Sequence, residues 1–591
     1  MKKKIDIKLF PVVFTWGLIP LIVRMKTYNT GYSQYDWYSE TADVRNDFFL
    51  MCKSYFIIAI AVIMLCMIAY QLFTQKKKQI KMEPAIYCLL VYAGFAFASF
   101  AFSQYKYYAS HGAYELFESI WVVLGYMIIC YYTYMTVNRE EQVFHLVKIS
   151  SLFFAIMAAI GVSQFLNCDF FKTEIGKKLI TPTSFWSNLD QISFTFDPGT
   201  VYATLYNPDW VGFYAGIVLP ILLVMGYRSK KVLTKCVYGI LAVGIFVCLI
   251  GARAMGGIIA FMSAVAISIL ILLCRNKKGM IAAGGAIVVG SVVLIGFLQC
   301  TTLGQNVVVT FKGTNKGYEN FGVKRIETND EDVVFGLEDR ELHITYQVDG
   351  GRVWVQCQDG DGNGILLATE GENGNIFVVA DESYLGCTIT PIYIEDDIAI
   401  EVNIDQKVWR FCNQQDGTYY FYNPVGKYVK FPEIKDAGIF NNDGFQNRGV
   451  IWNHTIPLLK NYMIFGNGAN TFAQAYPQDD YIYKEYMGMQ YMYDVKAHNW
   501  YLQQWVEEGF IALVAFIIFY MIYFLQCVKL YRKNNLKDPI VAMGMALFTG
   551  VTSYMVGAIV NDSNVTTAPV FWVTIGLGYA VNRMIREKMQ N

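Results

Sequence analysis

The sequence predicts a polytopic α-helical membrane protein of about 12 transmembrane helices, with an inserted small all-β extracytoplasmic domain. Three observations predict it. Of the 591 residues, 54% are hydrophobic and only 16% charged, whereas soluble domains carry about 25% charged residues. Apolar runs near the ~20 residues needed to cross a bilayer recur along the chain. A stretch past the middle switches to short alternating segments divided by Gly, Asp and Asn, the pattern of strands and turns. The formal net charge of zero gives no sign of a nucleic-acid partner.

The apolar runs lie at about 8–24, 48–73, 84–103, 116–136, 144–165, 208–226, 232–250, 254–273, 280–298, 506–528, 539–560 and 565–583. Lys and Arg cluster at 2–8, 76–81, 228–235, 275–278, 529–537 and 583–588. With a cytoplasmic start and twelve crossings, all six clusters fall inside, as the positive-inside rule requires. Both termini are then expected in the cytoplasm of a bacterium, with the chain embedded in its plasma membrane. The first run lacks a small-residue cleavage site and is followed by further runs, so a retained anchor is expected. This organisation divides the chain into helices one to nine (1–299), a β-rich extracytoplasmic insert (300–435), an outer loop with helices (436–505) and helices ten to twelve (506–591).

Within the insert, "LHITYQV", "RVWVQCQ", "IAIEVNI" and "KVWRFCN" alternate with period two. The stretch "DGDGNGILLATE" fits a calcium-loop template, with Asp359, Asp361, Asn363 and Glu370 as oxygen ligands. Its flanks look like strands rather than helices, and Asp-Gly and Asn-Gly are strong hairpin signals, so a turn is preferred over a metal site. The aromatics Trp354, Trp409, Tyr419, Tyr420 and Tyr422 belong to a small β core or to a surface that stacks on sugars. Among the thirteen cysteines, Cys357, Cys387 and Cys412 fall in this polar region and could include a disulfide pair.

Polar residues at the outer ends of the runs are the candidates for chemistry. In "TLYNPDWVGF", Asn207, Pro208 and Asp209 open a span. In "LIGARAMGGIIAF", Arg253 occupies a tight turn between two apolar runs and faces out, against the charge rule, which favours a functional group over a snorkelling anchor. In "NRGVIWNHTIPLLKNYMIFGNGANTF", Arg448 precedes a helix-like stretch, followed by a loop with Gly466 and Gly468. In "KAHNWYLQQWVEEG", His498 and Asn499, with Glu507 and Glu508, stand where the chain re-enters the bilayer; His498 is one of five histidines.

These segments, with the closing "NDSNVTTAPVFWVTIGLGYAVN", occur in the order and spacing of bacterial O-antigen ligase and polymerase proteins, which the chain resembles over roughly 200–300 and 440–585. The most specific element is His498, Asn499 and, ten residues on, Gly509; the chain departs from the family with Ala512 for a second Gly and Asp209 for the Asn of Asn-Pro-Asn. The resemblance implies a metal-independent, inverting membrane glycosyltransferase without cofactor. It would move a glycan from undecaprenyl pyrophosphate to an acceptor hydroxyl on a glycan, lipid or protein. By that resemblance Arg253 and Arg448 hold the pyrophosphate, which a guanidinium binds bidentately, and His498 serves as general base. A free imidazole, with a pKa of ~6.5, suits that task at neutral pH. Asn499, Asn207, Asp209, Gly466, Gly468 and Glu508 are expected to bind substrate; from their place near His498 in the sequence, rather than from the resemblance, Glu507 or Glu508 is the candidate to orient the imidazole. The expectation is that the two arginines and His498 converge in one cavity open to the exterior. The alternative is a transporter or exporter of a polysaccharide or its lipid-linked precursor. A carrier is expected to place charges or paired broken helices near the midplane, and this chain puts its polar residues at one face.

Overall fold

The computed structural model describes residues 6–39, 43–74, 83–313, 318–349, 352–371, 375–414 and 416–590. The basic clusters expected at 2–8 and 76–81 therefore lie largely or wholly outside the described residues. Each of the twelve apolar runs contains helix. Among the described residues, eight helices are long and apolar enough to cross a membrane: Met51–Thr74, Pro84–Phe102, Glu140–Phe165, Pro208–Arg228, Val232–Gly251, Met255–Leu273, Phe510–Lys533 and Pro539–Gly557. Ile7–Leu21 and Ile120–Thr136 are shorter apolar helices. The first of these passes from 3₁₀ to α to π and back to 3₁₀, and its Pro11 and Pro20 each remove a backbone donor from the ladder. Lys277–Cys300 and Ala568–Gln590 complete the set.

The bundle centres on Pro208–Arg228, Pro539–Gly557 and Ala568–Gln590, the most enclosed helices. Small residues allow the close crossings: a Cβ on Gly257 would stand 2.8 Å from the Gly212 Cα, so Pro208–Arg228 and Met255–Leu273 touch backbone to backbone. One boundary differs from the sequence expectation. The run expected to start at 506 begins as a separate short helix, Trp500–Glu508, which Gly509 ends at φ +92° before Phe510–Lys533 starts. A non-glycine residue would strain that break.

Among the described residues, eleven strands lie between Arg325 and Val429 in two antiparallel sheets, each a meander in which sequence neighbours pair. Four strands, Arg325–Thr328 to Arg352–Asp359, form one; seven, Leu367–Glu370 to Tyr428–Val429, form the other. Alternation sorts the faces: Leu342, Ile344 and Tyr346 point inward while their neighbours are half-exposed. The inward faces do not close on themselves. Ile389, Val402, Trp409 and Phe411 share one apolar core with Trp452, Phe472, Tyr476, Tyr481, Tyr483 and Val506 from the segment that follows. The turn Asp405–Gln406, both at positive φ, is pinned to that segment: Asp405 accepts from the Tyr486 hydroxyl at 2.5 Å and from the Gly322 N–H at 3.0 Å.

The stretch 359–370 forms a turn, the reading the sequence favours over a calcium loop. Asp359 accepts from the Asp361 and Asn363 backbones and from the Asn363 amide at 3.0 Å, so its oxygens close a turn between two strands. Glu370 sits exposed on Leu367–Glu370, and among the described residues no group of three acidic, His or Cys side chains could hold a metal. Cys357, Cys387 and Cys412 are buried free thiols; burial pushes the Cys357 thiol up to about 12. Trp409 and Tyr419 are core residues, whereas Trp354 is exposed.

Candidate active site

Three side-chain pairs from distant parts of the chain, Arg448–Asp209, His498–Asp562 and Lys496–Glu115, lie where helix ends face the segment 436–505. Arg448 lies in Gly444–Leu458, directly after Phe445, Gln446 and Asn447 at φ +54°, +62° and +64°. Three consecutive L-residues in the left-handed region are each unfavourable by about 1–2 kcal/mol, strain of the kind that gathers at functional sites. The Arg448 guanidinium reaches Asp209 at 3.0 Å. Asp209 opens Pro208–Arg228, where Asn207 caps the helix by accepting from the Asp209 N–H at 2.9 Å and Pro208 fits the first turn.

His498 is itself at φ +49°. Its Nδ1 stands 3.3 Å from Asp562, whose side chain is only 1% exposed. The segment is anchored on both sides: Trp452 Nε1 donates to Ala497 O, and the Trp500 N–H donates to Ala558 O and Asn561 O. Burial raises the Asp562 carboxyl, but His498, Lys496 and Arg448 outweigh it and hold it below its ordinary value.

Lys496, two residues before His498, is buried and pairs with Glu115 at 2.8 Å over the face of Trp210. Glu115 also accepts from the Tyr206 hydroxyl at 3.3 Å, and both Glu115 and Tyr206 have positive φ. Burial opposes each charge. Lys496 and His498 nevertheless hold Glu115 below its ordinary range, and Glu115, Asp562 and Asp209 raise Lys496. The pair therefore stabilises the fold fully between about pH 4.5 and 10.5, their ordinary values. Its contribution is lost as pH falls through the depressed Glu115 value, or rises through the raised Lys496 value. Lys496→Met leaves a half-buried carboxylate unpaired and is expected to cost about 3–5 kcal/mol; thermal melting across pH 3–8 checks it, the variant losing most of the acid-side slope.

Two cavities flank this cluster. One, of about 280 Å³, is lined by Arg448, His498, Asp494, His454, Lys484 and Tyr476 among others. The second, of about 430 Å³, is bordered by Glu115, Asn207, Tyr206 and Asp47 with the rings of Phe194 and Phe196. Arg448 lines the first and Glu115 the second, each held by an ion pair to a residue that lines neither, Asp209 and Lys496 respectively. Within the first cavity, desolvation raises the Asp494 carboxyl against the pull of Lys484, His498, His454 and Lys496.

Other expected residues have different places. Asn499 caps Trp500–Glu508, accepting from the Leu502 N–H at 3.1 Å. Arg253 is exposed at its turn and donates to Pro198 O at 3.3 Å; it lines neither cavity. Glu507 accepts from the Phe472 N–H and the Gln503 amide, and the carboxylate facing His498 is Asp562 rather than Glu507 or Glu508. The Gly466 N–H donates to Ser99 Oγ of Pro84–Phe102, and the Gly468 N–H to Glu507 O, so these amides hold the loop against two helices instead of facing a substrate. A Cβ on Gly466 would overlap the Glu507 backbone. Gly466→Ala is expected to destabilise the protein by about 3 kcal/mol, the upper end for overpacking, seen as loss of the monodisperse peak in size-exclusion chromatography.

The sequence analysis left out Lys496, Glu115, Asp562, Asp494 and His454. Lys496 was in view beside His498, and Asp562 stands in the short "NDSN" turn between two apolar runs; an acidic residue in so short a loop was the available signal.

The chain is thus a polytopic membrane protein with a charged, partly buried cluster at the ends of its helices. Residues 415–517 match the family model described as O-antigen ligase, and this match supports the O-antigen ligase family. The matched stretch contains Arg448, Gly466, Gly468, His498, Asn499 and Glu508; Asn207, Asp209, Arg253 and Asp562 lie outside it. No curated protein and no solved structure matches the chain. The match supports a membrane ligase or polymerase role in surface-polysaccharide synthesis and does not favour the transporter.

Proposed function

We propose that the protein transfers a glycan from undecaprenyl pyrophosphate to an acceptor hydroxyl at the outer face of the bacterial plasma membrane, with twelve crossings and both termini inside. The observation that carries this reading is that Arg448 and His498 line one cavity, each facing a carboxylate from the end of a different apolar helix.

The reaction follows from these groups. The acceptor oxygen attacks the anomeric carbon from the face opposite the leaving group, so configuration inverts, and the C–O bond to pyrophosphate breaks with its electron pair going to phosphate. Arg448 supplies positive charge for the departing oxygens, which a low-dielectric boundary makes more effective; in this reading the reaction is metal-independent. With Nδ1 directed at Asp562, the His498 Nε2 takes the acceptor proton, and Asp562 stabilises the imidazolium that forms. Arg253 belongs to the donor's approach at the membrane edge. The 430 Å³ cavity beyond Glu115, rich in aromatic rings, receives the acceptor, since sugar C–H faces pack on such rings. The 436–505 segment is the catalytic loop, and the sheets form an outer insert beside it.

The test is a turnover assay with purified protein in lipid nanodiscs and a lipid-linked oligosaccharide, read by release of undecaprenyl pyrophosphate. Elongated or transferred glycan with equimolar lipid release is expected. Vectorial movement of intact lipid-linked oligosaccharide without bond cleavage would overturn the assignment.

A further inference from the structure

A third cavity, of about 580 Å³, lies far from these residues in sequence, where the two sheets part. It takes walls from both: Trp354 from the edge strand Arg352–Asp359 of the smaller sheet, and Thr369, Phe377, Pro391 and Tyr393 from the larger. The register explains the shape. Thr369 pairs with Phe377, Phe377 with Ile389, and Tyr393 with Ile398, so Thr369, Phe377, Pro391 and Tyr393 share the face that carries Ile389 and Val402. Ile389 and Val402 are fully buried in the core. Toward Tyr393 the same face is open.

Two large rings at this mouth have no need to be there for stability. Trp354 is 58% and Tyr393 76% exposed, while Trp409, Phe411 and Tyr419 fill the core between the sheets. Exposed aromatic surface in a concave site marks a binding function. The polar groups beside the rings are a hydroxyl, a side-chain amide and one guanidinium, from Thr369, Asn375 and Arg352, with no carboxylate among the described lining residues. Hydrogen-bonding groups at the edge of a flat apolar floor suit a ligand with one apolar and one hydroxylated side. A pyranose has that character: its axial C–H bonds form a face that lies on an aromatic ring and its hydroxyls point outward.

We propose that this mouth is a glycan-binding site, separate from the catalytic cavity, that holds a stretch of the polysaccharide while its end reacts. The choice of a glycan as occupant rests on the transferase reading above. The rigidity of paired strands favours binding, because little side-chain or backbone freedom is lost on contact. The site acts on chain length or processivity and leaves the bond-forming step alone.

The test uses the full-length protein in nanodiscs, a printed panel of bacterial surface polysaccharides, and the variants Trp354→Ala and Tyr393→Ala. Both side chains are exposed, so folding is retained, with size-exclusion profiles as the control. Wild type is expected to retain one or more polysaccharides, with binding reduced roughly ten-fold for each ring removed. Release of undecaprenyl pyrophosphate with a short acceptor is expected to be unchanged in both variants, which separates this proposal from the catalytic one. Equal binding by wild type and variants, or none by wild type, overturns it. So does self-association of wild type that the variants abolish, which would assign the mouth to a second copy of the chain.

Discussion

His498→Ala is expected to lower turnover by about 10²–10⁴-fold, the range for a lost general acid–base group, without changing insertion into the membrane. The structural grounds are specific. The ring is 26% exposed on its side chain, its backbone conformation is strained, and flanking bonds from Trp452 and Trp500 fix the segment without using the imidazole. Removing the ring therefore leaves the scaffold intact and takes away the proton acceptor. Asp562→Asn is the companion: it keeps the shape but loses the charge that faces Nδ1, so turnover falls by a smaller factor. Wild-type turnover in His498→Ala, measured as undecaprenyl pyrophosphate released per protein, would contradict the assigned role.

Arg448→Ala is expected to reduce turnover by about 10²–10³-fold, comparable with deleting one preorganised donor that meets developing charge. Arg448→Lys should recover only part of this, since an ammonium keeps the charge and loses the planar fork. The pair with Asp209 complicates the reading, because truncation also leaves that carboxylate without its guanidinium. The double variant Arg448→Ala with Asp209→Ala resolves it. If Arg448 acts on the substrate, turnover stays low when the stranded carboxylate is removed too. If its role is only to neutralise Asp209, the double variant regains activity, and a double-mutant cycle reports the difference.

Much of the architecture was legible because apolar runs near bilayer length and period-two alternation are strong, local signals. The His498–Asn499 turn and Arg448 stood out for a similar reason: charged groups are rare in this chain and conspicuous at the ends of greasy runs. What escaped was pairing across distance. Glu115 and Lys496 are separated by 381 positions, and nothing in either local sequence announces the other. Glu507 and Glu508 misled because they sit close to His498 in sequence, whereas the helix Trp500–Glu508 carries them away and Asp562 arrives from the last turn between helices. Gly466 and Gly468 stand in the sequence as expected substrate-binding positions; the close approach Gly466 permits is to the Glu507 backbone, and that of Gly468 is to the Ser103 side chain.

The apolar core shared by the two sheets and the Arg448 segment sets the unit that evolution or engineering can exchange. A chimera joined at residue 435 would part Phe421 from Tyr481, whose rings lie 4.9 Å apart, and Trp409 from Tyr486. Grafts that carry everything between Gly313 and Gly509 keep those contacts whole, so transplanted acceptor preference should travel with the entire outer block and fail to travel with the strands alone.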